Sequence, residues 1–280
     1  MDILLFIKAL IMGIVEGITE FLPISSTGYL ILSADLMNFW TKEKTSLFIV
    51  VIQMGAILAV VYDYWGRLYN ALIGLLTGKA KGLEKPRQLG LSLIIATIPV
   101  MAVGLAFEDF ITEKLFHPVV VAIMLIIGAI LIIYAEKTKR PIIAKTAEQI
   151  DFKTALKIGL CQCLALIPGT SRSGSTIIGA LLFGTSRTAA TEFSFFLGIP
   201  VIFGAAILGL IKHKDALQTG QDWTVLGVGI LISFVVALLC IRFMVAWVSK
   251  KDFMIFAYLR IITGLIVLIA FFGFGYQIQG

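Results

Sequence analysis

The chain has 280 residues, 59% of them hydrophobic and 14% charged, where soluble domains carry about a quarter charged residues. That balance excludes a water-soluble globular enzyme and points to an all-α polytopic membrane protein. The net charge of +6 is spread over short connections between apolar runs, so it reads as a determinant of membrane orientation and not as a nucleic-acid surface.

In chain order, Asp2 precedes the first apolar run and Glu16 interrupts it, which predicts a retained segment and not a cleaved signal peptide. Residues 3–15 reach only about 20 Å as helix, short of the roughly 30 Å hydrocarbon core. Residues 29–39 are shorter still. Between them the stretch Glu16–Tyr29, E-G-I-T-E-F-L-P-I-S-S-T-G-Y, carries two carboxylates, a proline, three hydroxyls and a glycine. A re-entrant hairpin of two half-helices is predicted, and its non-helical tip requires a protein-lined or water-filled cavity.

Six longer runs are predicted to cross the membrane: 46–63, 89–107, 117–135, 192–211, 224–248 and 254–275, with 68–77 as a short interfacial piece. Between the third and fourth, residues 155–167 and 174–184 meet at Pro168–Thr176, P-G-T-S-R-S-G-S-T, a second hairpin. Its Arg172 reads as the one arginine inside an apolar segment. Cys161, Cys163 and Cys240 lie in apolar surroundings and are assigned no function.

The order is hairpin plus three spans, twice, within a single integral membrane domain covering 1–280. Shifted by 146 residues, Ser25-Ser26-Thr27-Gly28 lies over Ser171-Arg172-Ser173-Gly174 and Gly13 over Gly159. The repeats run from about 1–145 and 150–280, although I-P-V at Ile98 and at Ile199 would pair different spans. An odd number of crossings per repeat inverts the second relative to the first. Arg67, Lys79, Lys81, Lys85 and Arg87, then Lys137, Lys139, Arg140 and Lys145, then Lys250 and Lys251, mark three cytoplasmic loops. Glu108, Asp109 and Glu113 against Lys114 suit an external loop. The first hairpin and both termini then face outward and the second hairpin enters from inside, while Lys42, Lys44, Lys212 and Lys214 run against this arrangement.

Glu16 and Glu20 share a helical face about 6 Å apart. Two ionised carboxylates without a counter-charge cost several kcal/mol in hydrocarbon, so they hold a cation, share a proton or pair with Arg172. The purely structural alternative is that basic partners only fasten the hairpins together. One of Ser25, Ser26 and Thr27 caps the following helix, which leaves two hydroxyls to explain. Free N–H groups at a half-helix start form an anion site, and the planar guanidinium of Arg172 suits phosphate. Together these groups point to a divalent cation with phosphate, and phosphate at membrane depth points to a lipid. Gln53 and Gln162 are candidates for lining the cavity, against the commoner role of an interhelical hydrogen bond. Glu192 and Arg187 open a span at its edge, where snorkelling suffices. His117 and His213 lie at span ends, outside both breaks.

Four segments in order, E-G-I-T-E-F-L-P-I-S-S-T-G, V-I-Q-M-G-A-I-L-A-V, L-I-P-G-T-S-R-S-G and E-F-S-F, resemble the bacterial undecaprenyl-diphosphatase family of the bacitracin-resistance type. The similarity runs from about residue 8 to the final span. It implies removal of the terminal phosphate of undecaprenyl diphosphate, regenerating the monophosphate carrier lipid of wall polymers. It also implies a divalent cation, Mg2+ or Ca2+, and an inner-membrane protein whose site opens to the outer, periplasmic face. By position, Glu16 and Glu20 look like the family's metal-binding and acid-base carboxylates. Ser26 looks like its proposed nucleophile, and Arg172, flanked by Ser171 and Ser173, like its phosphate-holding motif. Ser25, Thr27, Gly28, Tyr29, Gly169, Thr170 and Gly174, with Gln53 and Gln162, complete the expected substrate-binding set.

Tyr29 departs from the family, whose members usually have histidine after S-S-T-G, assigned to proton transfer or nucleophile activation. A tyrosine of pKa about 10 donates a hydrogen bond but is a poor base near neutrality. Either Glu20 or Glu16 serves as base and histidine is dispensable, or this chain is slow or inactive, or position 29 has been altered. The rival function is a transporter or flippase of polyprenyl phosphate, because inverted repeats with broken helices are a common transporter build. The expected partners are a polyprenyl diphosphate lipid and the surrounding membrane lipid, with no nucleic acid. A homodimer is compatible with the sequence.

Overall fold

The computed structural model describes residues 2–78, 85–107, 115 and 118–274. Asp2 opens α1 (Ile3–Thr19) by accepting from the amides of Leu4 and Leu5 at 3.0 and 3.2 Å. The helix continues four residues past the expected 3–15. A buried carboxylate at Glu16 does not interrupt the backbone ladder, whereas Pro23 lacks the donor needed to continue it. After the break at residues 20–25, α2 (Ser26–Met37) returns along α1. Lys8 Nζ donates to the Asn38 carbonyl at 2.8 Å, so the end of α2 lies beside the start of α1. At about 25 and 18 Å, neither helix reaches across a bilayer core.

There follow α3 (Lys42–Asp63), the short α4 (Trp65–Thr77), α5 (Pro86–Ala106) and α6 (Pro118–Lys137). An extended connection ending in a 3-10 turn at Ala147–Gln149 leads to the second hairpin. There α7 (Phe152–Gln162) is capped by Asp151, whose carboxylate accepts from the Thr154 amide at 2.7 Å and is thereby held below the ordinary carboxylate range. A 3-10 turn at Cys163–Leu166 and the break around Pro168 reverse the chain into α8 (Arg172–Leu182). The return is close enough that a Cβ on Gly179 would lie 2.9 Å from that of Cys161. The chain ends in α9 (Arg187–His213), α10 (Gly220–Val248) and α11 (Met254–Phe274).

Among the described residues, α3, α5, α6, α9, α10 and α11 are the six helices long and apolar enough to span a membrane, at the positions expected. The chain is thus an all-α, multi-pass membrane protein. Its outward surfaces carry exposed Ile211, Leu239, Ile266 and Phe272, which suits contact with lipid. Lys79, Lys81, Glu108, Asp109, Glu113, Lys114 and His117 lie outside the described residues.

Small residues bring the helices together. A Cβ on Gly13 would lie 2.9 Å from the Gly229 carbonyl oxygen, and one on Gly17 2.8 Å from that of Ser233, so α1 is pressed onto α10 at a Gly-x-x-x-Gly face. In the second hairpin, Gly159 presses α7 onto the α5 backbone at Ala96. Glu16 lies within the first of these contacts and Glu20 just beyond it.

Ion pairs fasten the ends of the bundle. Thr219 and Asp222 form a capping box at the start of α10, and Lys44 reaches Asp222 at 2.9 Å. Arg67 pairs with Glu148 at 2.6 Å and Glu192 at 2.9 Å, while Arg187 pairs with Glu136. Glu192 and Arg187 therefore do not rely on snorkelling, because oppositely charged partners from other elements face them.

Candidate functional site

The two hairpin tips meet. Ser173 Oγ, from the second break, donates to the Leu22 carbonyl of the first at 3.0 Å. Both tips carry the same unusual backbone. Ser25 at φ 78° and Ser171 at φ 75° each occupy the left-handed region immediately before a helix, 146 residues apart. For a residue with a Cβ this costs about 1–2 kcal/mol, and such strain clusters at functional positions. Gly169, at φ 90°, has no room for a side chain because a Cβ would fall on the backbone of Val121.

At the junction Glu20 is used on both oxygens. Ser26 Oγ donates to Oε2 at 2.6 Å, and Arg172 Nη2 donates to Oε1 at 2.7 Å. Glu20 is 4% exposed and Ser26 8%, so these charge-assisted bonds act in a low dielectric where they are strongest. A hydroxyl bonded to a carboxylate that is itself oriented by a third group is the arrangement of an activated nucleophile. Arg172 is held from its other side by the Ser194 carbonyl, 2.7 Å from Nη1, while Nε has no partner. Ser171 Oγ caps α8 by accepting from the Gly174 amide at 3.0 Å.

Glu16 lies one turn before Glu20, wholly buried, and neither carboxylate oxygen has a hydrogen-bond partner. Thr170 Oγ1 and both polar atoms of Gln162 are likewise buried without partners. Unsatisfied polar groups of this kind are rare and call for a ligand, ion or ordered water. The acidic oxygens of Glu16 fit a divalent cation in part. Among the described residues no group of three or more His, Cys, Asp or Glu side chains is placed to hold a metal alone. A cation here would need its remaining ligands from outside the protein, from substrate oxygens or water, as Mg2+ commonly takes them.

Both breaks open onto a cavity of about 1670 Å³, larger than the roughly 300–1,000 Å³ of small-molecule pockets. Glu20, Ser25, Ser26, Thr27, Gly28, Gln53, Gln162, Gly169, Ser171, Arg172 and Ser173 line it. Gln53 also donates to the Ile49 carbonyl at 3.2 Å. Glu16, Thr170 and Gly174 lie behind this lining. Tyr29 is directed elsewhere, its hydroxyl 2.8 Å from Thr263 Oγ1 on α11.

Three residues of the junction were not anticipated. Arg260, on α11, is a second arginine inside an apolar segment and is fully buried, so Arg172 is not the one such residue. Its sequence surroundings, A-Y-L-R-I-I-T, resemble an interfacial arginine and give no local sign of burial. Ser194 and Gly198 line up behind Arg172, with the S-F-F-L-G spacing of one helical turn as the available signal. A Cβ on Gly198 would lie 2.7 Å from Arg172 Nη2. Gly198→Ala is therefore expected to push the guanidinium off Glu20 and lower turnover about tenfold or more while every polar group of the junction is kept. Steady-state turnover checks this, and an unchanged rate would show that Arg172 has slack.

Residues 9–266 match the family described as Bacitracin resistance protein BacA. A protein of Psychrobacter arcticus named Undecaprenyl-diphosphatase is 71% identical over 280 residues, the full length of both chains. Undecaprenyl-diphosphatase 1 of Acinetobacter baylyi is 60% identical over 96% of this chain and 97% of its own. A relative from Nitrosomonas europaea named Undecaprenyl-diphosphatase is 49% identical over 96% of each.

Proposed function

The chain belongs to the bacitracin resistance protein BacA family, and from that premise we propose that it removes the terminal phosphate of undecaprenyl diphosphate and returns undecaprenyl phosphate to the carrier-lipid pool. The carrying observation is the junction itself: a hydroxyl, a carboxylate and a guanidinium, drawn from two hairpins, bonded in sequence at 2.6 and 2.7 Å. The large cavity beside it accommodates a prenyl chain, and the apolar flanks admit a lipid from the bilayer.

In this reading the terminal phosphate lies against Arg172 and the free amides at the start of α8. Ser26 Oγ transfers its proton to Glu20 Oε2 and attacks phosphorus. The bond from phosphorus to the bridging oxygen breaks, and undecaprenyl phosphate leaves with the bridging oxygen, which takes up the proton from Glu20 and leaves that carboxylate ionised again. Water then attacks the phosphoserine, its proton passing to Glu20, and inorganic phosphate departs as Ser26 regains a proton. Arg172 compensates the charge that develops on the phosphoryl oxygens. Glu16, with Glu20 and the substrate oxygens, would hold Mg2+ or Ca2+, which when bound supplies Lewis-acid neutralisation of the diphosphate. Phosphate release from the lipid diphosphate in detergent should be lost with a chelator and restored by the divalent ion. Full activity under chelation removes the cation from the account.

Ser26 and Glu20 are already paired without a histidine, so the Tyr29 hydroxyl serves packing and not proton transfer. Tyr29→Phe is expected to keep turnover within about threefold of wild type. A loss approaching that of a missing general base would return Tyr29 to the chemistry.

The packing suits an inverted duplication. The first hairpin lies on α10 and the second on α5, while α3 meets α9 and α6 meets α11, the exchange that an internal two-fold axis requires. With the lysine-rich and arginine-rich loops inside, the first hairpin enters from the periplasmic face of the inner membrane. The same exchange favours a second reading, translocation of polyprenyl phosphate, which lipid movement without phosphate release in proteoliposomes would support.

A further inference from the structure

Arg260 is fully buried in α11, and its guanidinium donates to five backbone carbonyls. Nη1 reaches Pro23 at 3.0 Å, in the first break. Nη2 reaches Gly169 at 3.1 Å and Thr170 at 3.0 Å, in the second. Nη2 also reaches Met124 at 2.9 Å, and Nε reaches Leu125 at 3.0 Å, anchoring the group to α6. Every acceptor in these bonds is a neutral carbonyl. A charge buried this deeply against dipoles alone is costly to maintain, and nothing in helix packing requires it. Room has been made for it as well, since a Cβ on Gly128 would fall on the guanidinium. One turn further along α11, Thr263 holds Tyr29 of the first hairpin at 2.8 Å.

We propose that Arg260 is a positioning residue for the hydrolysis, a clamp that fixes the two hairpin tips relative to one another so that Glu20 and Ser26 of one face Arg172 of the other. The proposal rests on the reading of that junction as the phosphatase site. The tips are short non-helical segments with few bonds of their own across the junction. The carbonyls that Arg260 gathers come from both, and they lie directly before the helices that carry Ser26 and Arg172. A planar fork with five donors can bridge three chain segments at once, whereas an ammonium has three donors on a single atom. The bonds go to main-chain atoms, so the clamp sets backbone position and does not touch the substrate.

Arg260→Met and Arg260→Lys test this in the full chain in detergent, with two readouts. The first is the division between kcat and KM for phosphate release. The second is the distance distribution between spin labels on Leu36→Cys and Leu164→Cys, exposed positions on the two hairpins, with the three natural cysteines replaced by alanine. Arg260→Met is expected to lower kcat about 100-fold, the effect of misplacing reacting groups by an ångström, with KM within about threefold, and to broaden the distance distribution. Arg260→Lys should fall between it and wild type on both readouts. A narrow, wild-type distribution in Arg260→Met overturns the clamp whatever the activity, as does unchanged kcat. Should Arg260→Met not fold, Arg260→Lys decides by the same two criteria. If the wild-type chain releases no phosphate yet Arg260→Met broadens the distribution, the clamp stands and the phosphatase reading fails.

Discussion

Glu20→Gln is expected to lower kcat for phosphate release by roughly a thousandfold, within the span usual for loss of a general base, while KM changes little. The amide is nearly the same shape as the carboxylate and still offers an acceptor. It cannot take the proton of Ser26, whose Oγ lies 2.6 Å from Oε2. Arg172, left without its counter-charge, also loses the carboxylate 2.7 Å away that orients it. Removing one partner of a buried ion pair typically costs about 3–5 kcal/mol, so a lower unfolding temperature should accompany the kinetic loss. Rates of the variant therefore belong below its own transition. Retention of more than a tenth of wild-type turnover would mean that the proton goes elsewhere.

Arg172→Ala should lower kcat by roughly a hundred to a thousandfold, the range for removing one group that stabilises transition-state charge, and should raise KM as well. In the proposed mechanism the guanidinium meets the phosphate in the ground state as well as in the transition state. Arg172→Lys restores the charge but not the planar fork, and lacks the geometry to hold Glu20, the Ser194 carbonyl and a phosphate oxygen together. It should recover only part of the loss. Recovery to wild-type rates by lysine would reduce the role of Arg172 to bulk electrostatics.

The two breaks, their hairpins and the six crossings were legible in the sequence because each rests on a local rule. Apolar run length separates half-helices from spans, Pro23 and Pro168 mark the interruptions, and carboxylates within hydrocarbon demand partners. The meeting of Glu20 with Arg172 is one of the three ways of meeting that demand which the sequence left open. What was not legible depends on contacts distant in sequence. Arg260 gathers carbonyls up to 237 residues away, and no local pattern distinguishes it from an arginine that snorkels. Gly198 matters because of where the Arg172 guanidinium ends, 26 positions earlier in the chain. Tyr29 was conspicuous as a departure from the family, but its bond to Thr263 on the last helix could not be read from its neighbours. Glu192, read as an interfacial charge, has its partner Arg67 at the start of α4. Main-chain acceptors and cross-bundle ion pairs leave no periodic trace.

The most direct test of a shared site is a double-mutant cycle of Glu20→Gln and Arg172→Ala on phosphate release. Groups that act as a unit are strongly non-additive, so the double variant should be no slower than the worse of the two single variants. Losses that multiply would show two independent groups and contradict a junction in which one hairpin's carboxylate and the other's guanidinium serve the same phosphate.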